Sequence, residues 1–357
     1  MKSRNFINLI TILGFAASPT TIAQAKGVDQ KPEDRRITLD YVNTVNADAP
    51  ARKSPKGIIM VGRGKELRAV SPFSGTAKSG HPYAELANDF KRIFGDNINI
   101  YCMPIPTASA FYTPDAAKAW TRDQKTTING TFEHLSDSVY AVDIYTTLAE
   151  HANEPIYSRT DHHWAPLAGY YAAQKLAQVA GVPFKDLSNY DTDTIAPYVG
   201  TMPMYSGDAA LKNAPELFIY YKPRDVEYKT TYINYTLRNH KTIVKESEPT
   251  EGNFFIRFKG ASSYCTFMGG DSKIVKVETS TRNGRHILFI KDSFGNAIPG
   301  YLFYSFEEIH VIDSRYFNKN LKQYVKDNNI TDIVLDNNVT HMAMPTIYNN
   351  IRRYLTQ

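Results

Sequence analysis

The sequence reads His286-Ile287-Leu288-Phe289-Ile290-Lys291-Asp292-Ser293 towards its C-terminal end. The mostly apolar first part predicts a short buried strand, and the polar residues after it predict a turn. Apolar runs at 309–312 and 333–335 follow, with a helical pattern at 321–325 between them. Because short buried strands alternate with helices, we predict an α/β fold.

The residues before this stretch continue the alternation of strands and helices, except in one β-rich segment. Apolar runs at 58–62 and 98–101 flank a helical pattern at 84–94, which is a β-α-β order. From about 186 to 283, short alternating runs of tyrosine, threonine and charged residues predict a β-rich insertion. We therefore predict one catalytic domain over 37–357 that contains this insertion.

The N-terminal residues have the features of an export signal. Lys2 and Arg4 precede a mostly apolar run at 6–17, and Ala23-Gln24-Ala25 fits the small-x-small cleavage pattern. An uncleaved anchor is less favoured, because the run is shorter than the roughly 20 residues that span a bilayer. We predict a signal peptide at 1–25 and a periplasmic or extracellular protein. The polar segment 26–36 predicts a mobile arm.

The net charge and the two cysteines bear on which classes of function are compatible with the chain. The net charge is +5, and loss of a signal peptide would lower it, so the chain is only mildly basic. This argues against a dedicated nucleic-acid binder. Cys102 and Cys265 could pair in an oxidising compartment, but their sequence positions leave the pairing open. Neither cysteine has the neighbours of a structural zinc site.

The candidate nucleophile is Ser293, which follows a predicted strand and precedes a helix-like segment. Such a turn exposes the hydroxyl oxygen and directs backbone N–H groups towards a developing oxyanion. The alternative is that Ser293 or Asp292 only caps the following helix. A serine needs a base within hydrogen-bond reach, so we searched the sequence for a histidine that a carboxylate could orient.

The candidate base lies in Asp161-His162-His163-Trp164, just ahead of a helix predicted from Pro166 to Ala180. In an extended or turn segment, residues two apart point the same way, so Asp161 could orient His163. Asp161, His162 and His163 could alternatively bind a metal ion, but no HExxH motif accompanies them. We predict no metal and no cofactor, with His162 in a supporting role and Trp164 as a core residue or a wall for a sugar.

Polar residues also follow the other predicted C-terminal strands. Asn337 and Asn338 could supply an oxyanion donor, although the same residues suit a tight turn. Arg315 could bind substrate, or it could pair with a surface acid. The carboxyl ends of neighbouring parallel strands share one edge of a sheet, so we expect these residues near Ser293.

Several of these motifs together resemble a known family. The octapeptide at 157–164, followed by Gly169-Tyr170-Tyr171-Ala172, resembles the signature of the DHHW family, which is similar to the alginate O-acetyltransferases of the SGNH-hydrolase-like class. The resemblance continues through the segments 205–208, 269–271, 291–297, 313–317 and 337–338. It implies an SGNH-hydrolase-like three-layer sandwich with a mainly parallel sheet, circularly permuted so that the serine follows the Asp/His pair.

The resemblance also implies roles for three residues and a reaction. Ser293 would be the nucleophile, His163 the general base, and Asp161 the residue that orients His163. The expected activity is serine-dependent O-acetylation of a cell-envelope or extracellular polysaccharide through an acetyl-serine, with a membrane-bound O-acyltransferase as acetyl donor. The alternatives are a carbohydrate acetyl esterase, a metal-dependent hydrolase and a non-catalytic envelope glycan-binding protein.

Overall fold

The computed structural model describes residues 26–239, 242–271 and 273–356, so the predicted signal peptide at 1–25 lies outside it. Within these residues the strands are β1 (Ala51–Lys53), β2 (Ile59–Val61), β3 (Arg68–Val70), β4 (Asn99–Cys102), β5 (Tyr140–Ala141), β6 (Tyr190–Tyr198), β7 (Glu216–Pro223), β8 (Tyr228–Arg238), β9 (Thr242–Glu246), β10 (Thr250–Gly252), β11 (Lys273–Thr279), β12 (His286–Lys291), β13 (Glu308–Asp313) and β14 (Asp332–Asp336). The α-helices are α1 (His81–Phe94), α2 (Ser109–Tyr112), α3 (Gln124–Phe132), α4 (Ile144–Glu150), α5 (Pro166–Ala180), α6 (Met202–Ser206), α7 (Leu321–Asp327), α8 (Val339–Met342) and α9 (Pro345–Tyr354).

A nine-stranded sheet forms the centre of the described part of the chain. Its order is β10-β8-β11-β13-β12-β14-β4-β5, and β9 pairs with β8. The pairs from β13 to β5 are parallel, whereas those that involve β8 and β11 are antiparallel. The predicted α/β fold is confirmed, but the sheet is mixed and not mainly parallel.

The C-terminal prediction agrees closely with the structure. The predicted strands at 286–290, 309–312 and 333–335 correspond to β12, β13 and β14, and the predicted helix at 321–325 corresponds to α7. Side chains of β14 and β4 are buried along the full length of each strand. Burial on both faces is the reason that these strands read as continuous apolar runs.

One expectation about the rest of the fold is wrong. The run at 58–62 forms β2, which pairs with β1 and β3 in a separate three-stranded antiparallel sheet, so it is not part of a β-α-β unit with β4. The segment at 186–283 contains six strands, β6 to β11, in line with the β-rich character that its sequence predicts. Strands β8 to β11 extend the main sheet, and only β6 and β7 form a separate two-stranded ribbon.

The segment 26–36, for which composition predicts a mobile arm, makes several hydrogen bonds to the rest of the domain. The N–H of Val28 donates to the carbonyl oxygen of Val179 at 2.8 Å. The amide of Gln30 exchanges two hydrogen bonds with the backbone of Ala141. Backbone and amide pairing therefore holds the segment to the domain, which a search for apolar residues cannot detect.

Both cysteines are free, so the disulfide that the sequence left open is not formed. Burial raises the pKa of the Cys102 thiol, which makes it a poor nucleophile. Among the residues described, no helix combines the length and the apolar character needed to cross a bilayer.

Candidate active site

Ser293 is the first residue of a short 3₁₀ helix, Ser293–Ala297, that begins directly after β12. Because β12 lies between its parallel neighbours β13 and β14, the segments that follow all three strands meet at one sheet edge. The carboxylate of Asp292 caps the helix by accepting a hydrogen bond from the N–H of Phe294 at 2.9 Å. Ser293 is thereby held at the edge of the sheet.

The histidine approaches Ser293 from a separate loop. A β-bridge between Tyr157 and Trp164 closes this loop, and Pro166 then begins α5, as the sequence predicts. Gly169 of α5 lies against the 3₁₀ helix of Ser293: a Cβ atom at this position would be 2.6 Å from the carbonyl oxygen of Ala297. The close packing of these two helices brings the two predicted motifs together.

Asp161, His163 and Ser293 form a continuous hydrogen-bonded chain. The Nδ1 atom of His163 is 2.7 Å from Oδ1 of Asp161, and its Nε2 atom is 2.8 Å from Oγ of Ser293. With Nδ1–H donating to the carboxylate, Nε2 accepts from the serine hydroxyl. This is the arrangement that activates a serine in acyl transfer.

The carboxylate of Asp161 is fully engaged by neighbouring donors. Besides the His163 ring, Oδ1 accepts from the His163 N–H at 2.9 Å, and Oδ2 accepts from the N–H and the hydroxyl of Thr201 at 2.8 and 2.9 Å. Burial by itself would raise the pKa of the Asp161 carboxyl, but the charge and hydrogen bonds of His163 lower it below its usual range. Asp161 is thus an oriented anion.

His162 lies beside this chain and is held neutral. Its Nδ1 atom is 2.7 Å from Oγ1 of Thr201, the residue that also binds Asp161. Burial, and secondarily the charge of His163, lower the pKa of His162 to about 3. His162 and Asp161 thus share Thr201 as a hydrogen-bond partner.

Trp164 is not a wall for substrate, in contrast to one expectation. Its side chain is fully buried, and its indole N–H lies 2.9 Å from the carbonyl oxygen of Phe294 and 3.0 Å from the hydroxyl of Tyr264. The ring of Tyr264 in turn stacks on His163, with 3.9 Å between the centroids and 6° between the planes. Trp164 and Tyr264 therefore fix the imidazole ring.

The predicted asparagines are near Ser293, but their side-chain amides are occupied. Asn337 accepts from the Tyr83 hydroxyl at 2.7 Å and donates to Oγ of Ser314 at 3.1 Å. Asn338 donates its side-chain N–H to Asp292 at 2.8 Å. The oxygen of the Asn338 side chain also accepts from the N–H groups of Thr340 and His341, so Asn338 caps α8 as the turn interpretation predicts.

Arg315 belongs to a partly buried network of charges and also lines the pocket described below. Its guanidinium contacts Asp313 at 2.7 Å and Asp271 at 2.9 Å. The ammonium group of Lys291 contacts the same two carboxylates. Burial would lower the pKa of Lys291, but Asp271 and Asp313 raise it. The network fixes the turns after β12 and β13.

His341 is a residue that the sequence did not single out. It lies at the end of α8, and its Nδ1 atom is 2.8 Å from Oδ2 of Asp292. No local motif marks His341 in the sequence. Its one link to the predicted site is that its partner, Asp292, directly precedes Ser293. Tyr264 was missed for the same reason, since it is 100 residues away from Trp164 in sequence.

A pocket of about 420 Å³ opens above Ser293. Side chains from several separate segments line it, and those that matter most for chemistry are His162, Tyr205, Ser293, Arg315, Asn338 and His341. A space of this size accommodates an acyl group and part of an acceptor molecule.

One group of side chains has the composition of a metal site. Asp161, His162 and His163 each offer a ligand atom, and these atoms lie within 4.8 Å of one another. However, His163 uses Nδ1 for Asp161 and Nε2 for Ser293. Ligation of a metal by His163 would break one of these contacts, so the geometry favours acyl transfer over metal binding.

Comparisons with known proteins agree with this fold. A crystal structure of a DHHW family protein from Eubacterium siraeum DSM 15702 is 36% identical, with a TM-score of 0.76 over 87% of this chain and 98% of the other. Bacillus cereus PatB1, solved with a sulfonyl adduct, is 17% identical with a TM-score of 0.62 over 84% of this chain and 98% of PatB1. A search of curated protein sequences finds no match. The family model described as "DHHW protein" matches residues 39–312. The chain therefore belongs to the DHHW protein family.

Proposed function

We propose that this protein is an exported, serine-dependent O-acetyltransferase that acts on a cell-envelope or extracellular polysaccharide. The observation that carries the proposal is the hydrogen-bonded chain from Asp161 through His163 to Ser293, at 2.7 and 2.8 Å. A serine hydroxyl becomes a nucleophile when an oriented imidazole accepts its proton.

The reaction proceeds in two half-reactions at one pocket. His163 takes the proton of Ser293 as Oγ attacks an acetyl ester, and His163 then returns the proton to the departing alkoxide. The acetyl group remains on Ser293 as an ester. In the second half-reaction His163 deprotonates a glycan hydroxyl, which attacks the acetyl-serine and regenerates the free enzyme.

The identity of the acceptor distinguishes transferase from esterase. A glycan hydroxyl gives O-acetylation, whereas water gives hydrolysis. The rim of the pocket carries Tyr205, whose side chain is exposed and contacts the ring of His162 edge-to-face. An exposed aromatic ring at the mouth of a pocket suits stacking on a sugar, which favours the transferase over the carbohydrate acetyl esterase.

The acetyl donor and the location of the protein are part of the same proposal. An exported enzyme has no ready supply of acetyl-coenzyme A, so a membrane-bound O-acyltransferase would deliver acetyl groups across the membrane. The predicted signal peptide supports a location in the periplasm or outside the cell.

Hydrolysis of p-nitrophenyl acetate by purified protein tests the serine chemistry. Ser293→Ala should abolish turnover, whereas Ser74→Ala, a change at an exposed serine outside the pocket, should not. A sulfonyl fluoride should label one site, and mass spectrometry should find the label on Ser293, because sulfonyl reagents react with activated hydroxyls. Equal turnover in Ser293→Ala and wild type would refute the proposal.

Product analysis then separates the remaining candidates. Incubation with an acetyl donor and an oligosaccharide should add about 42 Da to the sugar for each hydroxyl that becomes acetylated, because the sugar competes with water for the acetyl-serine. Free acetate alone would indicate an esterase. Glycan binding without turnover would indicate a binding protein, and loss of turnover on chelation would indicate a metal-dependent hydrolase.

A further inference from the structure

A second carboxylate–imidazole pair lies next to the first. Ser293 contacts His163, and the preceding residue, Asp292, contacts His341. Asp292 is fully buried, and its Oδ2 atom also accepts from the backbone and side-chain N–H groups of Asn338, both at 2.8 Å. Adjacent residues of one turn are therefore each paired with a histidine from a different segment.

The orientation of His341 leaves one ring nitrogen for the pocket. Nδ1 is used by Asp292, so Nε2 is the remaining polar atom of the ring. The side chain is 28% exposed and lines the pocket that contains Ser293. His341 thus resembles a fixed donor that faces the space in which the substrate reacts.

The surroundings favour a positive charge on this ring. Burial alone would lower the pKa of His341, but the hydrogen bond and the charge of Asp292 raise it above its usual value. Arg315 opposes protonation and Asp313 favours it, while His162 on the opposite segment is held neutral by its lowered pKa. An imidazolium at this place has an N–H donor with a full positive charge.

Attack by Ser293 creates a need for such a donor. When Oγ bonds to the carbonyl carbon, the electron pair of the C=O π bond moves to oxygen, which becomes an anion. The side-chain amides of Asn337 and Asn338 each donate a hydrogen bond within the fold, and neither carries a positive charge. Arg315 and His341 are the cationic side chains that line the pocket, and Arg315 is already bound by two carboxylates.

We propose that His341 is a further catalytic residue, which donates Nε2–H to the carbonyl oxygen of the acyl group as that oxygen becomes negative. The inference rests on the proposed acyl-transfer function and assigns its oxyanion donor. No proton leaves His341 in this step. When the tetrahedral intermediate collapses, the electron pair returns to the C=O bond, and the alkoxide leaving group takes its proton from His163.

Two substitutions at His341 separate catalysis from structure. In His341→Asn the amide nitrogen replaces Nδ1, so the contact with Asp292 is kept and the donor to the pocket is lost. In His341→Gln the longer side chain places a neutral N–H near the position of Nε2. His151→Asn is the matched control, because His151 pairs with Glu154 at 2.6 Å and lies outside the pocket.

The assay is the pH dependence of p-nitrophenyl acetate hydrolysis by the full chain. His341→Asn should lower kcat about 10²-fold and change KM less than about threefold, since the lost contact forms only in the transition state. In the wild type, kcat/KM should fall at alkaline pH as His341 loses its proton, and this fall should be absent from His341→Asn and His341→Gln. His341→Gln should retain more activity than His341→Asn.

The outcomes distinguish this inference from the function on which it rests. Turnover by His341→Asn within about threefold of wild type, or an unchanged alkaline fall in that variant, would overturn the role of His341. If Ser293→Ala is inactive in the same experiment, the proposed acyl transfer still stands. If Ser293→Ala retains full turnover, the proposed function itself fails.

Discussion

The packing of α5 against the helix that follows Ser293 leads to a test of the whole site. In Gly169→Ala, the new Cβ atom would lie 2.6 Å from the carbonyl oxygen of Ala297 and 2.9 Å from its Cβ atom. Ordinary contacts begin at 3.4 Å, so the two helices must separate by about 0.8 Å if both keep their backbone geometry. Because α5 follows the loop of His163, the same movement would lengthen its 2.8 Å contact with Ser293 by up to about 0.8 Å.

We expect this variant to fold but to react slowly. Forcing a methyl group into a packed contact costs about 1 to 3 kcal/mol of the free energy of unfolding. A displacement of this size in a catalytic pair lowers the rate about 10²-fold. Turnover of p-nitrophenyl acetate and the rate of sulfonyl labelling at Ser293 should both fall, whereas circular dichroism should show a native spectrum.

Gly130→Ala is the matched control, because its Cβ would lie 2.4 Å from the carbonyl oxygen of Ala77 in another helix contact. Neither of these residues lines the pocket. This variant should lose stability to a similar degree and keep its turnover per folded molecule. Wild-type turnover in Gly169→Ala, or an equal loss in both variants, would refute the argument that α5 positions His163.

Three other changes should have defined effects. Asp161→Asn should lower kcat on the order of 10⁴-fold in the same esterase assay with little change of KM, because an amide cannot hold His163 in the required tautomer; near wild-type kcat would contradict this. Asp336 is fully buried, its carboxyl oxygens have no hydrogen-bond partner among the residues that the structure describes, and burial raises its pKa well above the usual value. Ionisation therefore opposes folding above the unfolded pKa, so Asp336→Asn should raise the free energy of unfolding in urea at pH 7 more than at pH 4. Lys291→Met removes one of the two cations that contact the buried carboxylate of Asp313, the other being Arg315, and should cost about 3 to 5 kcal/mol of the free energy of unfolding in the same denaturation measurement; a cost below about 1 kcal/mol would show that Arg315 compensates.

The parts of the site that the sequence predicts depend on local signals. Pro166 begins α5 and Gly181 ends it in a left-handed conformation, with φ of 66°, so both bounds of the helix are readable. The two-residue spacing of Asp161 and His163 gives the expected contact because the loop is not helical. Ser293 follows its strand directly, as the apolar run before it indicates.

The errors concern pairings between distant segments. β2 is apolar and completely buried, but nothing in three residues reveals that its neighbours are β1 and β3 instead of β4. The alternating pattern of β8 likewise predicts a strand without predicting that it will pair with β11. No motif surrounds His341 in the sequence, and its place in the site becomes evident only from its contact with Asp292. Periodicity reports burial, whereas these features depend on which surfaces meet.

The β-rich segment at 186–283 is an integral part of the site and not an accessory to it. It supplies Thr201, which binds Asp161, and Tyr264, which stacks on His163. It also supplies Glu216, which accepts the N–H of Thr160 at 2.8 Å and so holds the loop of Asp161. A loop that carries a catalytic pair must keep its geometry within a fraction of an ångström. Since the backbone of that loop is tied to this segment, changes in the segment should alter turnover as well as substrate choice.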